Sequence, residues 1–220
     1  MSGGTTSDLP SLYLITDRKL TSPDLLFVLE AALKAGVRLL QLREKDLSPS
    51  ALRALAGKVL ILTRSYGAKL LLNGSLELAI EIGADGVQLG IDTEKVFEAR
   101  KILGQRALIG FSAHSPQEVE DAASQGADFA TFGPVYFTAS KAQYGPPQGL
   151  NALQELCNTS SIPIYALGGI NPDRINEVIN AGAYGVALIS AVMAEGDPHK
   201  AVRLILQKMT TSHAQLRNTL

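Results

Sequence analysis

Ala35-Gly36-Val37-Arg38-Leu39-Leu40, Gly83-Ala84-Asp85-Gly86-Val87, Gly126-Ala127-Asp128-Phe129-Ala130 and Gly182-Ala183-Tyr184-Gly185-Val186 are four versions of one device. Each closes an amphipathic stretch with a glycine and enters an apolar run within a few residues. Glycine has no Cβ to clash in the left-handed conformation that follows a helix C-terminus, so each copy reads as a helix handing over to a strand. The four glycines stand roughly 50 residues apart, about twice the length of one strand–helix unit. Four double units predict eight strands alternating with helices: an α/β protein built as a single-domain (β/α)8 TIM barrel.

The apolar runs expected as strands are 12–15, 37–42, 69–72, 86–89, 107–111, 129–132, 163–167 and 185–189. Amphipathic stretches at 24–35, 49–65, 76–82, 94–103, 116–125, 150–158, 172–181 and 198–209 supply the helices. Pro49, Pro116, Pro172 and Pro198 stand near helix starts, where a missing N–H costs nothing. The chain of 220 residues is close to the roughly 250 typical of this barrel, so the barrel domain is placed at 11–210. Residues 1–10 read as a disordered extension and 211–220 as a tail.

A hydrophobic content of 46% with 5% aromatics and no Trp suits a core of branched and small residues. Net charge is −1, which gives no general attraction for nucleic acid or an anionic membrane surface, so any anion must be bound locally. Cys157 is the only cysteine, which excludes an intrachain disulfide and fits a reducing cytoplasm. No apolar run reaches membrane-spanning length, and residues 1–8 lack the pattern of a signal peptide.

In this fold chemistry sits where strands end, at the C-terminal face. The second strand ends in Gln41-Leu42-Arg43-Glu44-Lys45, where alternation would aim Gln41, Arg43 and Lys45 into the barrel mouth. A solvated charge run would have the same composition. The sixth strand leads into a long connection, 133–149, with Thr138, Ser140 and Lys141: two hydroxyls beside a point charge, a set suited to phosphate. Gly168-Gly169 after the seventh strand and Ser190 after the eighth stand where barrels commonly bind phosphate on backbone N–H groups. Ser112 and His114 follow the fifth strand. Histidine exchanges protons near neutral pH, although position alone suits a structural hydrogen bond equally well.

Together these segments resemble the family of thiamine phosphate synthases and their TenI relatives. The resemblance runs from residue 12 to about 209 and rests on four pieces in order: Tyr13-Leu14-Ile15-Thr16-Asp17, Gln41-Leu42-Arg43-Glu44-Lys45, the 133–150 loop with Thr138, Ser140 and Lys141, and Ala166-Leu167-Gly168-Gly169-Ile170. It implies the same barrel and substrates that are a phosphorylated thiazole and, for a synthase, a hydroxymethylpyrimidine diphosphate. It puts the diphosphate, with Mg²⁺, on Arg43, Lys45 and Lys141, with Asn73 and Ser112 assisting. Gln41 would meet the pyrimidine. The thiazole phosphate would lie against Gly168, Gly169 and Ser190, beside Thr138 and Ser140. Members often form homodimers, an assembly this sequence neither requires nor forbids.

Two departures divide the implied activities. Synthases carry Asn-Asp after the third strand, where this chain has Asn73-Gly74, and His-Leu-Gly-Gln-x-Asp after the fourth, where it has Gln88-Leu89-Gly90-Ile91-Asp92-Thr93. The two metal-binding aspartates thus match Gly74 and Thr93, and Asp92, one position early, or another carboxylate would have to supply the metal ligand. Losing both favours a TenI-type thiazole tautomerase, which needs no cofactor and would use His114 as general acid and base. The alternatives are a Mg²⁺-dependent synthase, with Lys141 catalytic, and a noncatalytic regulator that keeps the phosphate pocket. The 133–149 loop is expected to act as a lid.

Overall fold

The computed structural model describes residues 9–90, 92–138 and 146–217. Eight parallel strands close a barrel in sequence order. They are β1 (Leu12–Ile15), β2 (Leu39–Leu42), β3 (Lys69–Asn73), β4 (Gly86–Gly90), β5 (Leu108–Ala113), β6 (Phe129–Phe132), β7 (Ile164–Leu167) and β8 (Gly185–Leu188). Around them run α1 (Leu25–Ala35), α2 (Pro49–Ser65), α3 (Leu76–Ile82), α4 (Glu94–Leu103), α5 (Pro116–Ser124), α6 (Gly149–Thr159), α7 (Ile175–Asn180), α8 (Ser190–Met193) and α9 (Pro198–Arg217). β8 pairs back onto β1, with Tyr13 opposite Ala187, while Tyr13 meets Leu39 of β2 on its other side.

The four-fold glycine device behaves as the sequence predicts. Gly36, Gly83, Gly126 and Gly182 all adopt positive φ, from 70° to 122°. In two copies the aspartate that follows has a structural task at the start of the strands. Asp85 accepts the N–H of Leu70 at 2.9 Å and Asp128 that of Ile109 at 2.7 Å, tying neighbouring strands together. Helix starts are capped by short polar side chains: Asp24 accepts from the N–H of Phe27, Ser48 from Ala51 and Ser115 from Glu118.

Strand alternation splits the apolar residues into two cores. Leu12 and Leu14 face outward into the layer between barrel and helices, with Leu40, Leu70, Val87 and Ile109. Tyr13 and Ile15 face inward with Leu39, Leu71, Phe129, Tyr165 and Ala187. Tyr13, Phe129 and Tyr165 meet edge-on, ring centroids 5.2–5.8 Å apart, and fill the barrel interior.

Several boundaries differ from the sequence reading. β5 continues to Ala113, so Ser112 lies within the strand instead of after it. The helix expected at 172–181 is a 3₁₀ turn, Pro172–Arg174, followed by α7, because the Asn171 side chain holds the N–H groups of Asp173 and Arg174 in a tight turn. The last helix passes its expected end at 209 and reaches Arg217, so residues 211–217 are helical, not a loose tail. Ser212 is buried there, its hydroxyl 2.6 Å from Asn176 Oδ1. Such a contact between α9 and α7 leaves no trace in local periodicity. No helix among the described residues is long and apolar enough to cross a membrane.

Candidate functional site

The floor of the barrel mouth is a chain of hydrogen bonds across five strands. Gln41 Nε2 donates to the Tyr13 hydroxyl at 3.0 Å, and that hydroxyl donates to Gln88 Oε1 at 3.0 Å. Gln88 Nε2 donates to Ser112 Oγ at 3.0 Å, and Thr131 Oγ1 lies 3.5 Å from the same oxygen. Tyr13 is 0% exposed, and Gln41 and Gln88 are each 2% exposed. Burial pushes the Tyr13 phenol above its ordinary range, and the bond from Gln41 only partly opposes this. The group therefore stays neutral and serves as a hydrogen-bond relay. Space for the chain comes from Gly110, where a Cβ would stand 2.2 Å from Gln88 Oε1 and 2.5 Å from Phe129 Cζ. Sequence reasoning singled out Gln41 and Ser112 but missed that Tyr13 and Gln88 join them.

The strand-two motif divides its labour. β2 ends at Leu42, so strict alternation does not carry Gln41, Arg43 and Lys45 onto one continuous face. Gln41 belongs to the buried floor, Arg43 is half-buried and Lys45 is exposed. Between the two cations, Glu44 is 5% exposed and turned to the β1 connection. It accepts the Arg18 N–H at 3.1 Å and lies 3.2 Å from the Arg18 guanidinium. Arg18 also grips Asp46 through two bonds, at 2.6 and 2.9 Å, and Lys19 joins at 2.9 Å. The Arg18 guanidinium holds Asp46 well below the usual carboxylate range. The acid of the motif thus pins two loops together and does not neutralise Arg43 or Lys45. Among the described residues neither of those cations has an ion pair or a side-chain hydrogen bond. Arg43 is steadied through its backbone, whose N–H donates to Thr16 Oγ1 at 2.9 Å. Glu44, Lys45 and Asn73 line a cavity of about 110 Å³ beside Leu42 and Leu72. A larger hollow of about 510 Å³ lies apart, between the β1 connection, the start of α1 and Leu55 of α2.

On the opposite side of the mouth, the connections after β6 and β7 are locked together. Val135 and Tyr136 donate their N–H groups to the carbonyls of Leu167 and Gly168, at 2.9 and 3.1 Å. Gln148 and Gly149 return to Pro134 and Val135 at 2.8 and 3.1 Å, so the expected lid is fixed at its base. Its residues 139–145, with Ser140 and Lys141, lie outside the described residues, whereas Thr138 is described and half-buried. Gly168 and Gly169 have positive φ, 99° and 65°, and their immediate purpose is packing. A Cβ on Gly168 would stand 2.5 Å from Pro134 Cβ, and one on Gly169 2.8 Å from the Phe137 carbonyl. Arg174 completes the clamp, donating to the Gly169 carbonyl at 2.6 Å while stacking 4.3 Å from the centre of the Tyr136 ring. The Tyr136 hydroxyl donates to Glu177 at 2.6 Å; burial, then this bond, push its pKa up to about 12. Ser190 is exposed and opens α8.

His114 is exposed, with its Nδ1 2.8 Å from the carbonyl of Gly133. A carbonyl only accepts, so Nδ1 carries the proton and Nε2 is the basic nitrogen. Its backbone N–H donates to Glu118 at 2.7 Å.

Residues 12–192 match the family model described as thiamine monophosphate synthase. The chain belongs to the thiamine monophosphate synthase family. It is 49% identical over 197 residues to a protein of Geobacter sulfurreducens provisionally named a thiamine-phosphate synthase, covering 89% of this chain and 92% of that one. It is 40% identical over 200 residues to the thiamine-phosphate synthase of Chlorobium phaeovibrioides, covering 91% and 94%. The solved thiamine phosphate pyrophosphorylase of Pyrococcus furiosus superposes with a TM-score of 0.82 at 32% identity, over 92% of this chain and 96% of that one. Membership places the protein among the enzymes of thiamine biosynthesis.

The donors at the mouth do not make a protein-held Mg²⁺ site. Mg²⁺ is usually anchored by one or two carboxylates together with phosphate oxygens. Gly74 and Thr93 have no carboxylate, and Asp92 Oδ1 accepts the Glu94 N–H at 3.1 Å at the start of α4. Among the described residues there is also no cluster of three or more His, Cys, Asp or Glu side chains that could hold a metal without phosphate oxygens.

Proposed function

We propose that this protein is a thiamine phosphate synthase. It transfers a hydroxymethylpyrimidine group from its diphosphate to a thiazole phosphate: a carbon–oxygen bond to the diphosphate breaks, a carbon–nitrogen bond to the thiazole forms, and pyrophosphate leaves. The observation that carries this reading is the pair Arg43 and Lys45, left without counter-ions because Glu44 is committed to Arg18. The developing negative charge falls on the leaving diphosphate, which fixed cations stabilise most when they need no reorganisation. Gln41, its amide oriented by Tyr13, is suited to the polar edge of a pyrimidine. The clamped Gly168-Gly169 turn, Thr138 and Ser190 suit the thiazole phosphate. Lys141 belongs to the same reading through its place in the sequence. The names of the curated relatives favour the synthase over the tautomerase to which the missing aspartates point.

One observation keeps the tautomerase as a second reading: His114 has its tautomer fixed by Gly133, leaving Nε2 for proton transfer. The deciding experiment incubates the protein with both phosphorylated precursors, in Mg²⁺ and in EDTA, with Lys141→Ala as the blank. Thiamine phosphate formed under either condition supports transfer. No product, with thiazole phosphate still bound, refutes it and directs attention to thiazole isomerisation and His114→Ala.

A further inference from the structure

We infer that the diphosphate is gripped directly by Arg43 and Lys45, without a divalent cation anchored on the protein's own carboxylates; this rests on the transfer reading above. Three neighbouring strand ends carry the argument. At the end of β2 the cations are unpaired among the described residues, because the intervening Glu44, although it lines the same cavity as Lys45, is bound to Arg18. At the end of β3, beside Lys45 and Asn73 in the 110 Å³ cavity, the next residue is Gly74. Its N–H donates to the Gln88 carbonyl at 2.9 Å and nothing lies within 4 Å of where a Cβ would project. Beyond β4, Asp92 is engaged with the first turn of α4, its Oδ1 accepting the Glu94 N–H at 3.1 Å.

Charge decides what such a mouth prefers. Carboxylates that hold a metal also repel a bare diphosphate, so a site built with them binds the anion well only when the metal is loaded. Here the carboxylate lining the cavity, Glu44, is offset by Arg18, while Arg43 and Lys45 keep their charge for the anion. The mouth is therefore matched to the anion itself, and a metal ion riding on the diphosphate gains no anchor from the protein.

The test is calorimetric binding of inorganic pyrophosphate to the full chain, in EDTA and in Mg²⁺. The expected result is a Kd in EDTA within about threefold of that in Mg²⁺, weakened at least tenfold by Arg43→Gln or Lys45→Gln. Restoring carboxylates with Gly74→Asp and Thr93→Asp together should weaken binding in EDTA at least tenfold and create recovery by Mg²⁺. Gly74 has φ of 69°, so if the pair unfolds the protein, Thr93→Asp alone, at a helical φ of −73°, tests the same charge effect. Binding of pyrophosphate by the parent that is tenfold or more tighter in Mg²⁺, absent in both conditions, or indifferent to Arg43→Gln overturns the inference. The two readings fail separately. Product formed only with Mg²⁺, together with metal-dependent pyrophosphate binding, sinks the direct grip and keeps the synthase. Pyrophosphate bound in EDTA with no product under any condition sinks the synthase and keeps the grip.

Discussion

Replacing Tyr13 by Phe removes one oxygen atom and cuts the floor of the site in the middle. The Tyr13 hydroxyl has a single proton, so it accepts from Gln41 and donates to Gln88; without it, two amide atoms at 2% exposure lose their partner. A buried polar atom left unsatisfied costs about 1–3 kcal/mol. Two would cost up to about 6, but Gln88 keeps Ser112 and both amides can rotate, so a loss of about 2–4 kcal/mol is expected. For a chain of this size that corresponds to a fall in Tm of roughly 4–16 °C. Urea unfolding of Tyr13→Phe, Gln88→Leu and the double variant measures it. The double variant should lose less than the two single losses combined, by about 1 kcal/mol or more, because removing both ends of a bond strands no partner. A Tyr13→Phe loss below about 0.5 kcal/mol, or strict additivity, would show that the chain of bonds contributes nothing to stability and refute the reasoning.

Four further outcomes follow from the same geometry. Gly110→Ala places a methyl 2.2 Å from Gln88 Oε1 and against Phe129, and should cost about 1–3 kcal/mol by overpacking, seen as a lower urea midpoint with an unchanged slope. Arg174→Met removes the clamp on the Gly169 carbonyl; steady-state kinetics should show KM for the thiazole phosphate raised about tenfold with KM for the pyrimidine diphosphate unchanged, and Arg174→Lys recovering little because it lacks the planar stack. The Tyr136 pKa is raised to about 12 by burial and Glu177. Its folded state holds the proton more tightly than the unfolded chain, so its share of stability is complete below pH 10 and lost towards pH 12; Tyr136→Phe should flatten that part of a stability profile. Burial pushes the Cys157 thiol up to about 11, so mass spectrometry should find its alkylation at pH 8 much slower in native protein than in urea-unfolded chain.

The barrel was legible because its signals are local. A glycine after a helix, a proline at a helix start and a run of apolar residues each depend on the chain within a few positions, and the glycine copies recur often enough to count the strands. The boundary errors arose where a side-chain hydrogen bond, near in sequence or far, decides the outcome. Ser212 extends α9 by bonding Asn176, and Asn171 turns the start of the seventh helix into a 3₁₀ turn through its side chain. At the site, Gln41, Arg43, Lys45 and Asn73 were found because polar residues at the end of an apolar strand stand out. Their organisers were hidden for the same reason. Tyr13 reads as one more large residue in a strand, and its hydroxyl matters only once β1 lies between β2 and β8 and faces Gln88 across the interior.

Glu44 shows how far that blindness reaches into function. In the sequence it stands between two cations, and the simplest expectation is that it shares their charge. The structure pairs it with the β1 connection, where Arg18 meets it with both backbone and side chain. Arg18 in turn is held by Asp46, which is itself bound by Lys19. An acid within a basic motif thereby becomes the reason the motif is basic: every carboxylate near Arg43 and Lys45 on this loop has a cation of its own. Arg18→Met should free Glu44 and Asp46 to compete for Lys45 and Arg43, and pyrophosphate binding should weaken although Arg18 lies on the β1 connection and not in the strand-two motif. Glu44→Gln in the Arg18→Met background should restore part of the affinity. Unchanged binding in Arg18→Met would mean that distance alone, and not this pairing, separates the acids from the site.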